Sequence, residues 1–306
     1  MKRLTVISIY FLLVSYCVVW AQCDTLSLLF TGDVLLDRGV RRQIACHSVK
    51  WLFDSVSEDF KRADATIINL ECPITDVASP VSKQFIFRAD ASCAGVLAQV
   101  GVTHAALANN HSVDQGSHGL DDTQRLLSEA GIRTLGYGTS QEQRLAPTVI
   151  EKGGVKVAVF NDITVPIENW LPSATLRPNV CNVPVDTLAH AIGRYHCENP
   201  DVHIVAFLHW GVEYMPLPTF QQRREAAKLV SAGAVAIVGA HPHVTQPMYL
   251  QQGVPVYYSL GNFVFDGTRP HSDEAQMVVL TFSEKGLKEH KAIPVKIVSC
   301  QPRKLK

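Results

Sequence analysis

The sequence carries no excess charge of either sign: 28 basic residues stand against 28 acidic ones in 306. A chain without a net positive field has no electrostatic footprint for nucleic acid or for an anionic membrane surface. None of its eight cysteines is spaced C-x-x-C, which excludes the usual thiolate zinc site. No internal repeat, low-complexity tract or Gly/Ser/Pro linker interrupts it, so solenoid, collagen-like and disordered architectures are excluded. Beyond the first twenty residues no apolar run is long and charge-free enough to span a bilayer. What is present is 47% hydrophobic residues, enough to bury a sizeable core, and 12 histidines, an unusual number.

Lys2 and Arg3 precede an apolar run over residues 4–20, followed by Ala21. A basic n-region, a short apolar stretch and small residues predict a secretory signal over residues 1–21, with cleavage leaving Gln22 first. Cys23 offers lipid attachment, and an uncleaved segment offers a membrane anchor, as alternatives. The expected location is outside the cytoplasm, in the periplasm or cell envelope. There some of the seven cysteines beyond the signal can pair, at least one being left over. Cys181 with Cys197 is a candidate that would close a short loop, but the sequence does not fix the pairing.

Short apolar runs alternate with helical patterns. Residues 26–30, 65–70, 104–108, 202–208, 234–238 and 256–258 read as buried strands. Residues 94–100, 120–130 and 220–232 read as helices, the last with Thr219 as N-cap and Gly233 behind it. Residues 149–160 read as a hairpin across Gly153-Gly154, and residues 277–282 and 292–298 as late strands. The Pro- and Asn-rich stretch 161–184 reads as a long surface loop. The whole of residues 22–306 reads as one α/β domain.

The polar residues collect in one kind of place. Asp33, Glu71, Asn110-His111, His209 and His241-Pro242-His243 each stand just past the end of an apolar strand. In α/β sheets those ends gather the ligand site. Carboxylate, amide and imidazole donors without thiolate suit one or two divalent ions: Mn, Zn, Fe or Mg. Two such ions about 3.5–4 Å apart activate a water and stabilise both oxygens of a phosphoryl displacement.

The ordered motifs Phe30-Thr31-Gly32-Asp33-Val34, Asn69-Leu70-Glu71, Asn109-Asn110-His111 with Asp114-x-Gly116, His209-Trp210-Gly211-x-Glu213-Tyr214, Gly239-Ala240-His241-Pro242-His243 and Ser259-Leu260-Gly261-Asn262-Phe263 closely resemble the bacterial CapA-type family of poly-gamma-glutamate capsule synthesis proteins. That family is similar to the calcineurin-like metallophosphoesterases, and the resemblance covers nearly all of residues 26–292. It implies a four-layer αββα sandwich with metals at one edge. It implies Asp33 and His243 on a first metal, Asn110, His209 and His241 on a second, and Glu71 bridging both. His111 would then protonate a leaving oxygen, with Asp114 beside it, and Asp114 and Glu213 would orient histidines from behind. The superfamily's first motif is Asp-x-His, but position 35 is Leu, so one first-metal imidazole is missing. Glu71 stands where the superfamily has Asp.

Arg38 and Arg88 are candidates to pair with an anionic substrate, since guanidinium forks match carboxylates and phosphates. The resemblance implies an exported metal-dependent hydrolase or transferase of capsule or poly-gamma-glutamate synthesis. Its ligand would be an anionic polymer or a phosphorylated compound, and a membrane-bound polymer synthase its partner. A general metallophosphoesterase, or a non-catalytic polymer-binding partner of the synthase, are the competing readings.

Overall fold

The computed structural model describes residues 25–166 and 179–305. The expected signal, with its cleavage and anchoring alternatives, lies outside the described residues.

The first buried run becomes β1 (Leu26–Val34), followed by β2 (Ala65–Leu70), β3 (His104–Ala106), β4 (Arg133–Leu135), β5 (Tyr137–Gly138), β6 (Thr148–Lys152), β7 (Val155–Ile163) and β8 (Asn179–Val180). The second half adds β9 (Val202–His209), β10 (Ala234–Ala240), β11 (Thr245–Gln251), β12 (Val254–Leu260), β13 (Asn262–Val264), β14 (Glu274–Ser283), β15 (Gly286–Val298) and β16 (Gln301–Lys304). The helices are α1 (Arg38–Cys46), α2 (Ser57–Arg62), α3 (Cys93–Gln99), α4 (Gly116–Glu129), α5 (Gln141–Leu145), α6 (Val185–Glu198) and α7 (Phe220–Ser231).

Two sheets result. An eight-stranded sheet runs β16-β15-β14-β1-β2-β3-β4 with β13 also on β1, and a six-stranded sheet runs β11-β12-β10-β9-β7-β6. β1 to β4 pair in parallel, as do β7, β9, β10 and β12. Three apolar layers hold them. Leu28, Phe30 and Ile67 of one sheet meet Val159, Phe207 and Val238 of the other, and the Phe30 and Phe207 rings touch edge-on at 5.4 Å. Val40, Phe60, Leu97 and Leu120 pack α1 to α4 on the outer face of the first sheet. Leu188, Ile192, Ala226 and Leu229 pack α6 and α7 on the outer face of the second. This is the single-domain αββα sandwich that the resemblance implied.

The parallel arrangement aims the C-terminal ends of β1, β2, β9 and β10 at one edge. There β13 comes in tightly beside β1: Asp33 N donates to the Gly261 carbonyl at 3.1 Å. A Cβ on Gly32 would stand 1.8 Å from that same carbonyl oxygen, so only glycine fits.

Several expectations are corrected. β1 continues through Asp33 to Val34, because β2 and β13 both pair with its last residues. The expected loop 161–184 is partly strand: Asn161 to Ile163 finish β7 alongside β9, and Asn179 and Val180 form β8. Its middle, residues 167–178, lies outside the described residues. Cys181 and Cys197 are both free thiols, one buried and the other exposed on α6, so the candidate loop pairing is not made.

Candidate metal centre

Asp33 and Glu71 sit at the bottom of the site, both fully buried. Glu71 is held one residue past β2 by its backbone N–H, which donates to the Val34 carbonyl at 2.9 Å. Asn69, two residues earlier in β2, lies in register with Asp33 and reaches two site residues with its amide nitrogen: Asp33 Oδ1 at 2.8 Å and His209 Nδ1 at 3.2 Å. His209 ends β9, and its Nε2 stands 2.8 Å from Asn110 Oδ1 and 3.1 Å from His241 Nδ1. His241 and His243 straddle Pro242 just past β10, both at positive φ, 98° and 57°. That is a costly conformation for non-glycine residues and one that clusters at functional sites. The turn is clamped by Tyr214 N, which donates to the Pro242 carbonyl at 2.8 Å.

The donors form two groups that share one carboxylate. Glu71, His209 and His241 offer atoms within 4.8 Å of one another, and so do Asp33, Glu71 and His243. His209 Nε2 and His243 Nε2 approach Glu71 Oε1 to 3.8 and 3.7 Å. Asp33 Oδ2 and both Glu71 oxygens are buried without a hydrogen-bond partner. Such atoms carry the full desolvation penalty of a buried charge unless a cation lies among them. The residues therefore fit divalent metal: oxygen and nitrogen donors, no thiolate, and three buried carboxylate oxygens that no hydrogen bond satisfies.

Protonation tells the same story. Burial, with Asp33 adding, raises the Glu71 carboxyl well above the usual range. Burial and the neighbouring His243 push His241 down to about 3, and burial with His241 and His243 drives His209 far down. His243 goes the other way: burial opposes its charge, but Glu71 and Asp33 overcome that and raise it to about 10. The metal-free site thus favours protons on Glu71 and His243, which bound cations would displace.

His111 stands beside the cluster and in neither group. Its Nδ1 donates to Asp114 Oδ2 at 2.9 Å. The other Asp114 oxygen lies 2.6 Å from Lys83 Nζ, which also donates to the Asn110 carbonyl at 2.8 Å. Burial lowers His111 from the ordinary imidazole range, with Asp114 opposing. Asp33 and Glu71 are sealed at 0% exposure, whereas His111, His241 and His243 retain 6–7%, so the site opens on the histidine side.

Arg38, at positive φ and starting α1, reaches this rim. Its guanidinium lies 5.3 Å from the rings of both Phe87 and Phe265 and pairs with Asp266. Phe87 packs on His111 at 4.2 Å and Phe265 on His243 at 4.9 Å. Arg88 is not brought there; its guanidinium donates to the Asp76 carbonyl at 3.3 Å. Glu213 is exposed, and its charge is felt at Glu71 and His243. It makes no hydrogen bond to a site histidine among the described residues. Asn69, Lys83 and Asn262 belong to the site but were not singled out in the sequence. Asn69 and Asn262 do lie inside the ordered motifs, whereas the stretch around Lys83 has no pattern to mark it.

Residues 27–267 match the sequence model of the bacterial capsule synthesis protein PGA_cap. The chain is 27% identical to the PGA biosynthesis protein CapA of Bacillus subtilis, over 92% of this chain and 74% of that one. It is 26% identical to the capsule biosynthesis protein CapA of Bacillus anthracis, over 92% and 69%. Among solved structures it is similar to the calcineurin-like phosphoesterase YfkN of Bacillus subtilis, with TM-score 0.53 and 15% identity over 88% of this chain and 90% of that one. A putative 5'-nucleotidase from Staphylococcus aureus gives TM-score 0.54 and 16% identity, over 89% and 54%. At these identities the structural likeness concerns the fold.

Proposed function

The chain belongs to the bacterial capsule synthesis protein family PGA_cap, within the metallophosphoesterase superfamily, and from that we propose that it is a divalent-metal-dependent hydrolase or transferase of capsule polymer synthesis, working outside the cytoplasm. The observation that carries this reading is the set of buried, unpartnered oxygens of Asp33 and Glu71 facing three histidines, with a fourth, His111, held beside them by Asp114. The names of the two CapA relatives support the polymer reading. The Lys2-Arg3 segment and the apolar run behind it support export.

Asp33, Glu71, Asn110, His209, His241 and His243 would hold the metal, which supplies Lewis-acid polarisation of a phosphoryl or acyl oxygen and lowers the pKa of a bound water. The chain's own residues do the rest. Arg38, fixed between Phe87 and Phe265, presents a guanidinium to an anionic polymer or a phosphorylated substrate. Phe87 and Phe265 also pack on His111 and His243, so the same two rings hold the guanidinium and the histidines together. Asp114 accepts a hydrogen bond from His111 Nδ1, which fixes the ring so that Nε2 can take up a proton and pass it to a leaving oxygen. A membrane-bound polymer synthase is the partner such a protein would serve.

A second reading rests on Leu35: without an imidazole there, a non-catalytic polymer-binding role becomes the alternative. Two variants separate them. His111→Ala should keep fold and metal but lose about 10²–10⁴-fold in rate on an aryl phosphate, and fail to restore capsule to a deletion strain. His241→Ala should lose metal and function together. Full capsule restoration by His111→Ala, with failure of His241→Ala, would replace the enzyme by the scaffold.

A further inference from the structure

Position 35 supplies no ligand. Leu35 is fully buried in the apolar layer behind the first sheet, and its backbone N–H donates to the Val264 carbonyl at 2.8 Å. The partner strand it leans on brings another donor. Asn262 opens β13 and pairs in parallel register with Asp33, so the two side chains leave neighbouring strands on the same face. Asn262 is fully buried. Its amide nitrogen donates to two carbonyls, His243 at 3.2 Å and Ser272 at 2.9 Å. Two acceptors on one side fix which end of the amide is nitrogen. Oδ1 is therefore turned to the metal cluster, where it stands 2.9 Å from His243 Nδ1.

Asp33 Oδ2 lies 3.2 Å from that same Nδ1 and has no hydrogen bond of its own. One ring nitrogen thus faces two oxygens, a carboxylate and an amide, at nearly equal distance. Metal–ligand bonds of about 2.1 Å set at right angles place neighbouring donors about 3.0 Å apart. The other half of the centre has the same spacing: 2.8 Å from His209 Nε2 to Asn110 Oδ1, and 3.1 Å from His209 Nε2 to His241 Nδ1. We propose that Asn262 Oδ1 is a direct ligand of the ion on the Asp33 side and takes the place of the imidazole that position 35 lacks. Each half of the centre then has four protein donors around the shared Glu71. Asn110 completes one with its amide oxygen and Asn262 completes the other. This rests on the proposal that the cluster holds two divalent ions.

The test reads metal, not turnover. Full-length protein is stripped with chelator and titrated with Mn²⁺ by calorimetry. The parent should take up two ions per chain. Asn262→Ala should keep one and bind the second at least tenfold more weakly. Asn262→Asp, which returns an oxygen to the same place, should regain the second. Thermal melts in chelator check that each variant is folded. A crystal structure of the Mn²⁺-loaded parent should place Asn262 Oδ1 at bonding distance, about 2.1–2.4 Å, from one ion. Two ions of unchanged affinity in Asn262→Ala would overturn the proposal, and so would an Oδ1 beyond about 2.6 Å from both ions in the loaded parent. A parent that binds no Mn²⁺ at all would remove the metal reading itself, and this proposal with it.

Discussion

Asp114 spends each oxygen on a different cation-capable group, His111 Nδ1 and Lys83 Nζ, and Oδ2 also accepts from Phe87 N at 2.7 Å. All of this is buried: the Lys83 side chain keeps 4% exposure and Asp114 none. Taking away one partner of a buried pair leaves the other charge uncompensated, at about 3–5 kcal/mol. Lys83→Met should lower the unfolding free energy by roughly that amount in denaturant titration; a loss under about 1 kcal/mol would mean that Asp114 does not depend on the ammonium. Gly32 makes a sharper case, since an added Cβ meets backbone that cannot yield. Gly32→Ala should abolish cooperative unfolding or cut the melting temperature steeply. Gly95, inside α3 with open space around its would-be Cβ, is the control: Gly95→Ala should stabilise by about 0.5–1 kcal/mol.

At the scale of elements, the central strands were legible because burial on both faces writes a continuous apolar run, as in β1 and β9. The strand β11 was not. It is an edge strand whose Met248, Tyr249 and Leu250 are all exposed and whose Pro247 argues against a ladder, so it has neither alternation nor a hydrophobic run. The site was legible where donors follow strand ends, from Asp33 to His243. Lys83 was not, because nothing in its stretch marks it, and Asn69 and Asn262, though inside the ordered motifs, acquire a role only through the neighbouring strands that bring Asp33 and His243 to them. β7 carries a further consequence. Asp162 is buried near its end with Oδ2 unpartnered, and burial raises its carboxyl from 3.8 to about 7. The folded state therefore holds a proton that the unfolded chain has already released. From this group, stability is fully present below about pH 4, falls as pH rises towards 7, and levels off above it. Asp162→Asn keeps an oxygen for Val183 N, which donates to Oδ1 at 3.2 Å, and removes the titration. The variant should melt above the parent at pH 8 and close to it at pH 4.5. An equal offset at both pH values would contradict the assignment.

Across the whole molecule, two sheets bring strand ends from both halves of the chain to one edge. Asp33 and Glu71 come from the first sheet, and His209, His241 and His243 from the second. An ion held by both therefore ties the layers together, and its binding free energy adds to folding. The central claim is that Glu71 is shared by two divalent ions. Its most direct test is metal stoichiometry by native mass spectrometry of the full chain after Mn²⁺ loading, parent against Glu71→Gln. The account predicts two ions on the parent and at most one on Glu71→Gln, with the parent's melting temperature dropping in chelator. Two ions retained by Glu71→Gln, or none on the parent, would contradict it.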